Sequence, residues 1–152
     1  MDDKQDLPWN NPRFRNWIAL VRAEKAVVTA LARALQPLDL KIAQLDMLMN
    51  LHRHPGMSQH ELARKLLVGR SNITMLLPQL EMRGLLSREN DVKDKRVMRL
   101  ALTAEGEKLL MEALHVYNGL IEKVMAQSTP AECDRMGAVM LRICEAMKTE
   151  PE

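Results

Sequence analysis

The chain has 152 residues, 47% of them apolar, which suits a single compact protomer with a modest core. Aromatic residues make up only 3% while methionine occurs 12 times, so leucine, valine and methionine packed between helices must supply that core. A net charge of +2 excludes a broadly polybasic or polyacidic surface, and no apolar run approaches the roughly 18 residues of a membrane helix.

The acidic start, Met1-Asp2-Asp3-Lys4-Gln5-Asp6, lacks the basic head of a signal peptide. A cytoplasmic protein with no membrane partner is expected. Residues 1–11 are expected to be disordered, because nothing there repays the entropy of ordering. Asn11-Pro12 then reads as a cap followed by proline at the first helical position. A helix is predicted from Pro12 to about Leu35, with Phe14, Val21, Val28 and Leu35 at seven-residue intervals and Trp17 and Leu31 in the same seam. Its length, on the order of 36 Å at about 1.5 Å per residue, exceeds what so small a chain covers easily. Part of the stripe is therefore expected to meet a second protomer; the alternative is an ordinary long core helix.

Gln36-Pro37-Leu38-Asp39 breaks that helix. Ile42, Leu45, Leu48, Met49 and Leu51 predict an amphipathic helix that stops before Pro55-Gly56. Ser58-Gln59-His60-Glu61 is a capping box, and Leu62, Ala63, Leu66 and Leu67 carry the next helix to about Val68. After a short turn, Ile73, Leu76, Leu77 and Leu80 recur at spacings of three and four, which leaves Arg70, Ser71, Asn72, Thr74, Gln79 and Arg83 off the buried stripe. That is the spacing of a helix-turn-helix pair.

Gly84 is placed to stop the second helix in the left-handed conformation. Leu85 to Arg88 and Arg96 to Leu102 predict two strands around the polar turn Glu89 to Lys95, with Met98, Leu100 and Leu102 on one face. Thr103 caps a helix with Glu105 and Glu107 in its first turn and a stripe of Leu110, Leu114, Tyr117, Ile121 and Val124. Thr129-Pro130-Ala131-Glu132 is a second capping box, and Met136, Met140, Ile143 and Met147 line the last helix. The fold class is thus mainly α with a small β-hairpin wing. From Met57 to Thr103 there are nine Lys and Arg against five Asp and Glu, a local excess that fits an anionic partner.

In this order, Leu62-Ala63, Val68, Ser71-Asn72-Ile73-Thr74, Leu80-Glu81, Arg83-Gly84-Leu85, Arg88, Asp91, Asp94-Lys95-Arg96, Leu102-Thr103 and Gly106 resemble the MarR family of bacterial transcription regulators. The resemblance implies a winged helix-turn-helix DNA-binding lobe at 38–103 and a helical dimerisation region at 12–37 and 104–148. It implies double-stranded DNA and a second copy of the chain as partners, and a repressor that a small aromatic or phenolic effector releases from a pseudo-palindromic operator. A helix of this kind presents its N-terminal side chains to base edges in the major groove. Arg70 then suits guanine, Asn72 adenine and Thr74 a thymine methyl, with Ser71 on a phosphate and Gln79 further along. In the wing, Lys93, Lys95 and Arg96 meet the backbone and the minor groove, with Asp91 and Asp94 as support.

Two positions depart from the family pattern: Met75 replaces a common polar residue, and Pro78 lies inside the helix, where it deletes the bond to the Thr74 carbonyl and is expected to kink the axis. Trp17, Ile42, His52 and Tyr117 are candidates for an effector pocket, with core packing as the other role for each. His52, His54 and His60 lack a metal-ligand spacing, so no metal and no cofactor is expected. Cys133 opens the last helix beside Glu132 and Asp134, and Cys144 shares its apolar face, where burial is expected. A cysteine-based redox sensor and a helical module that binds only proteins are the alternatives. No phosphate loop, nucleophile elbow or zinc-protease signature points to an enzyme.

Overall fold

The structure, a computed structural model, describes residues 7–66 and 73–148. Its helices are α1 (Phe14–Leu35), α2 (Ile42–Arg53), α3 (Gln59–Lys65), α4 (Ile73–Met82), α5 (Ala104–Met125) and α6 (Pro130–Lys148), with strands β1 (Leu86–Asn90) and β2 (Met98–Leu102) between α4 and α5. The chain forms two compact units, 1–117 and 118–152, so the division falls within α5 rather than at its start. Residues 1–6 lie outside the described residues, but Pro8–Asn10 form a 3-10 turn instead of a disordered tail, closed by the Asn11 amide donating to the Pro8 carbonyl at 3.1 Å. Pro8 presets the backbone angle that turn requires.

In the first unit, α1 begins at Phe14, and the Asn11 side chain accepts the Arg13 amide at 2.8 Å just ahead of it. Of the expected seam only Leu31 and Leu35 are buried, whereas Trp17, Val21 and Val28 are exposed. The chain leaves α1 through the turn Gln36–Leu38 and Asp39, whose φ of 50° marks the break. Leu45, Met47, Leu48 and Leu51 bury α2 completely on one side, and the capping box of α3 forms as expected, with the Glu61 carboxylate accepting the Ser58 amide at 2.7 Å. That helix ends at Lys65, because Leu66 is already extended, three residues before the predicted stop.

Ile73, Leu76, Leu77 and Leu80 are all buried, which confirms the stripe of α4, and the helix continues through Pro78 to Met82. Gly84 adopts a φ of +71°, a conformation that only glycine takes without strain. The antiparallel hairpin pairs Leu86 with Leu102 and Asn90 with Met98, and Leu100 is buried against the helices. A short third segment also joins β2: the Gly56 amide donates to the Leu100 carbonyl and the Leu100 amide to the Met57 carbonyl, each at 2.9 Å. This pairing ties the end of α2 to the wing.

The first half of α5 buries Gly106, Leu110 and Ala113. In the second unit the capping box before α6 is complete, with the Thr129 amide on Glu132 at 2.8 Å, and these bonds hold the Glu132 carboxyl below the usual range. Met136, Met140, Ile143 and Met147 occupy one side of α6 as predicted, yet all are exposed. Cys144 is exposed with them, contrary to the expected burial, because its apolar side has no cover within one chain. Cys133 is half-buried, and its Sγ lies 3.7 Å from the Met125 carbonyl. Among the described residues, no helix is long and apolar enough to cross a membrane.

Candidate nucleic-acid interface

Helices α3 and α4 and the hairpin lie in the first unit and contribute buried side chains to its core. Arg70, Ser71 and Asn72, the front of the predicted reading helix, lie outside the described residues. Behind them, Thr74, Met75, Pro78 and Met82 are the exposed residues of α4, with Met75 60% and Met82 90% exposed. Gln79 is not on that side: it is half-buried, and its Oε1 accepts from Nε2 of the buried Gln44 on α2 at 3.2 Å. A side chain committed to this interhelical bond holds α4 on α2 rather than presenting its amide outward. Arg83 likewise donates to the Leu38 and Asp39 carbonyls and fastens the α1–α2 turn.

The wing is built for rigidity at its base and charge at its tip. The Asp91 amide donates to the Val97 carbonyl at 2.9 Å, and the Val97 amide to the Asp94 carbonyl at 3.0 Å, which closes the turn. Arg96 donates from Nε to Asp94 Oδ1 at 3.1 Å and from Nη2 to Oδ2 at 3.2 Å, a two-pronged pair in which the Arg96 side chain remains 90% exposed. That side-chain pairing, together with the Arg96 amide, holds the Asp94 carboxyl below the usual carboxylate range. Lys93 and Lys95, on either side of Asp94, are exposed, as is Val92 between Asp91 and Lys93.

Arg99 faces the other way: Nη1 lies 3.3 Å from Glu61 and Nε 3.7 Å from Asp91. Bonds from the Ser58 amide and hydroxyl, and then the Arg99 charge, keep the Glu61 carboxyl low. Asp91 therefore acts on the wing through β2 rather than at the tip. Arg88 pairs with Glu81 and reaches Gln59, which links the hairpin to both helices of the pair.

Sequence reasoning missed Arg64 and Lys65, exposed in the last turn of α3, which with Arg99 and His54 line a depression beside Gly56. Two adjacent bases at a helix end were the available signal. The candidate effector residues are not assembled: Trp17 lines a depression with Pro8 and Phe14, and Ile42 a separate one with Ala32 and Gln36. The first lies at the start of the 22-residue α1 and the second at its end. His52 Nδ1 contacts Glu107 Oε2 at 2.8 Å, and Tyr117 is half-buried on α5. Among the described residues, no group of three or more His, Cys, Asp and Glu is placed to hold a metal.

Comparison with known proteins agrees with this geometry. Residues 40–98 match the model of the MarR family. The HTH-type transcriptional repressor MdtR of Bacillus subtilis (strain 168) is 28% identical over 108 residues, which cover 71% of this chain and 70% of the relative. Among solved structures, the repressor CouR bound to a 23-mer DNA duplex is 28% identical with a TM-score of 0.71, over 83% of this chain and 89% of that one. AbsC of Streptomyces coelicolor, a MarR family regulator, superposes with a TM-score of 0.82 at 19% identity, over 92% of this chain and 97% of that one, which shows the shared fold.

Proposed function

Because this chain belongs to the MarR family of DNA-binding transcription regulators, we propose that it is a homodimeric repressor whose two winged lobes straddle a pseudo-palindromic operator. The observation that carries the reading is the wing tip: an exposed Arg96 held by Asp94, with exposed lysines on either side of Asp94, in the same unit as the exposed side of α4. Such a hairpin fits a minor groove, where narrow A·T-rich stretches attract arginine, while α4 fits the adjacent major groove. The relatives lend support, since CouR is a repressor seen on duplex DNA and MdtR is a repressor.

Dimerisation accounts for the exposed Trp17, Val21 and Val28 of α1 and for Met136, Met140 and Ile143 of α6, each of which a second copy would remove from water. A small aromatic or phenolic effector, bound where the helices carry the lobes, would shift the population away from the spacing that fits DNA. As a regulator of this family the protein works by binding, without catalytic chemistry of its own.

Selection from random duplexes at low salt, with the mass of the complex determined by sedimentation, tests this reading. Two chains per duplex and a selected palindrome with half-sites about one turn, on the order of 34 Å, apart are expected. A chain that remains monomeric at working concentration and retains no duplex would overturn it.

A further inference from the structure

We propose that Met75 and Pro78 read DNA by apolar contact, so that each half-site carries thymine methyl groups on one or two neighbouring base pairs. The inference rests on the reading of this lobe as a DNA binder and adds what the lobe selects. On the described part of α4 the exposed residues are Thr74, Met75, Pro78 and, at its last position, Met82, with no charged side chain among them. The polar groups nearest to that side are engaged elsewhere: Gln79 bonds Gln44 and Glu81 pairs with Arg88. The Thr74 hydroxyl can bond a base edge, but the apolar side chains beside it can choose between bases only through what is apolar there. In the major groove that group is the 5-methyl of thymine.

The spacing fits. Met75 and Pro78 are three positions apart, about 4.5 Å along the helix at about 1.5 Å per residue, against about 3.4 Å between stacked base pairs. The two side chains therefore reach adjacent pairs. Charge complementarity favours duplex over an apolar protein surface as the occupant: Arg64, Lys65, Lys93, Lys95 and Arg96 are exposed in the same unit, and a polyanion neutralises them.

The test replaces each thymine of a selected operator, singly, by deoxyuridine, which removes the methyl group and keeps every hydrogen-bonding edge. At one or two adjacent positions per half-site the full-length chain should bind about fourfold more weakly, the worth of one buried methyl group, and elsewhere it should bind unchanged. Met75→Ala and Met75→Gln, both at an exposed position where folding should be preserved, should weaken binding to the thymine duplex and abolish the uracil penalty at one of those positions. Uracil tolerated everywhere by a chain that still binds the thymine duplex overturns the apolar readout and leaves DNA binding intact. A penalty that persists in both Met75 variants overturns the assignment to Met75. Failure to bind any duplex at low salt, including capture of protein but not DNA, overturns both readings.

Discussion

Gly106→Ala is expected to destabilise the winged lobe by about 3 kcal/mol or more, at or beyond the upper end of ordinary overpacking. A Cβ on Gly106 would lie 1.9 Å from the Leu85 carbonyl oxygen and 2.9 Å from its carbon, and these are backbone atoms that no rotamer change can move aside. The contact sits inside a small knot of bonds. The Thr103 hydroxyl donates to the Gly84 carbonyl at 2.6 Å and accepts the Gly106 amide at 3.0 Å, while the Thr103 amide donates to the Leu85 carbonyl at 3.1 Å. Start of α5, end of β2 and exit from α4 thus meet within a few residues. Urea unfolding of Gly106→Ala beside Gly119→Ala separates this close approach from general helix effects, since a Cβ at Gly119 meets nothing within 4 Å. Gly119→Ala should gain about 0.5 to 1 kcal/mol as a helical glycine replaced by alanine. Equal stability of the two variants would show that the approach is not tight.

Arg96→Ala should weaken duplex binding and reduce the slope of log K against log salt by about one unit, and removal of Lys93 and Lys95 as well should bring the reduction to about three. The same substitution has a second readout at Asp94. In the native wing the carboxyl is held low by Arg96, so the pair is complete above the ordinary aspartate range and is lost only as pH falls through the lowered value. Without Arg96 the Asp94 pKa should rise toward its ordinary value, which a carboxylate NMR titration measures. An unchanged salt slope together with a raised Asp94 pKa would show that Arg96 supports the wing and does not meet DNA.

Periodicity made most of the lobe legible. The α4 stripe of Ile73, Leu76, Leu77 and Leu80 is a three-four pattern that only a helix buries, and the capping boxes at Ser58 and Thr129 are local devices complete within four residues. Gln79 was misjudged for a related reason: periodicity separates apolar from polar positions, but not a polar position facing solvent from one facing the buried Gln44 of another helix. The Gly56–Met57 pairing with β2 is too short to leave an alternation. Gly106 is visible in the sequence as part of a pattern, while its reason, the Leu85 carbonyl, belongs to tertiary structure. Cys144 was expected to be buried because its neighbours are apolar; what such a side packs against is not written in its own periodicity.

Hydroxyl-radical footprinting of the selected duplex tests most directly whether two copies of the same lobe grip one double helix. Two lobes on one duplex should protect the backbone in two symmetric blocks about one helical turn apart, each with a minor-groove stretch that becomes exposed when Arg96 is replaced by alanine. A single block on one side of the dyad, or protection that the Arg96 replacement leaves untouched, would contradict it.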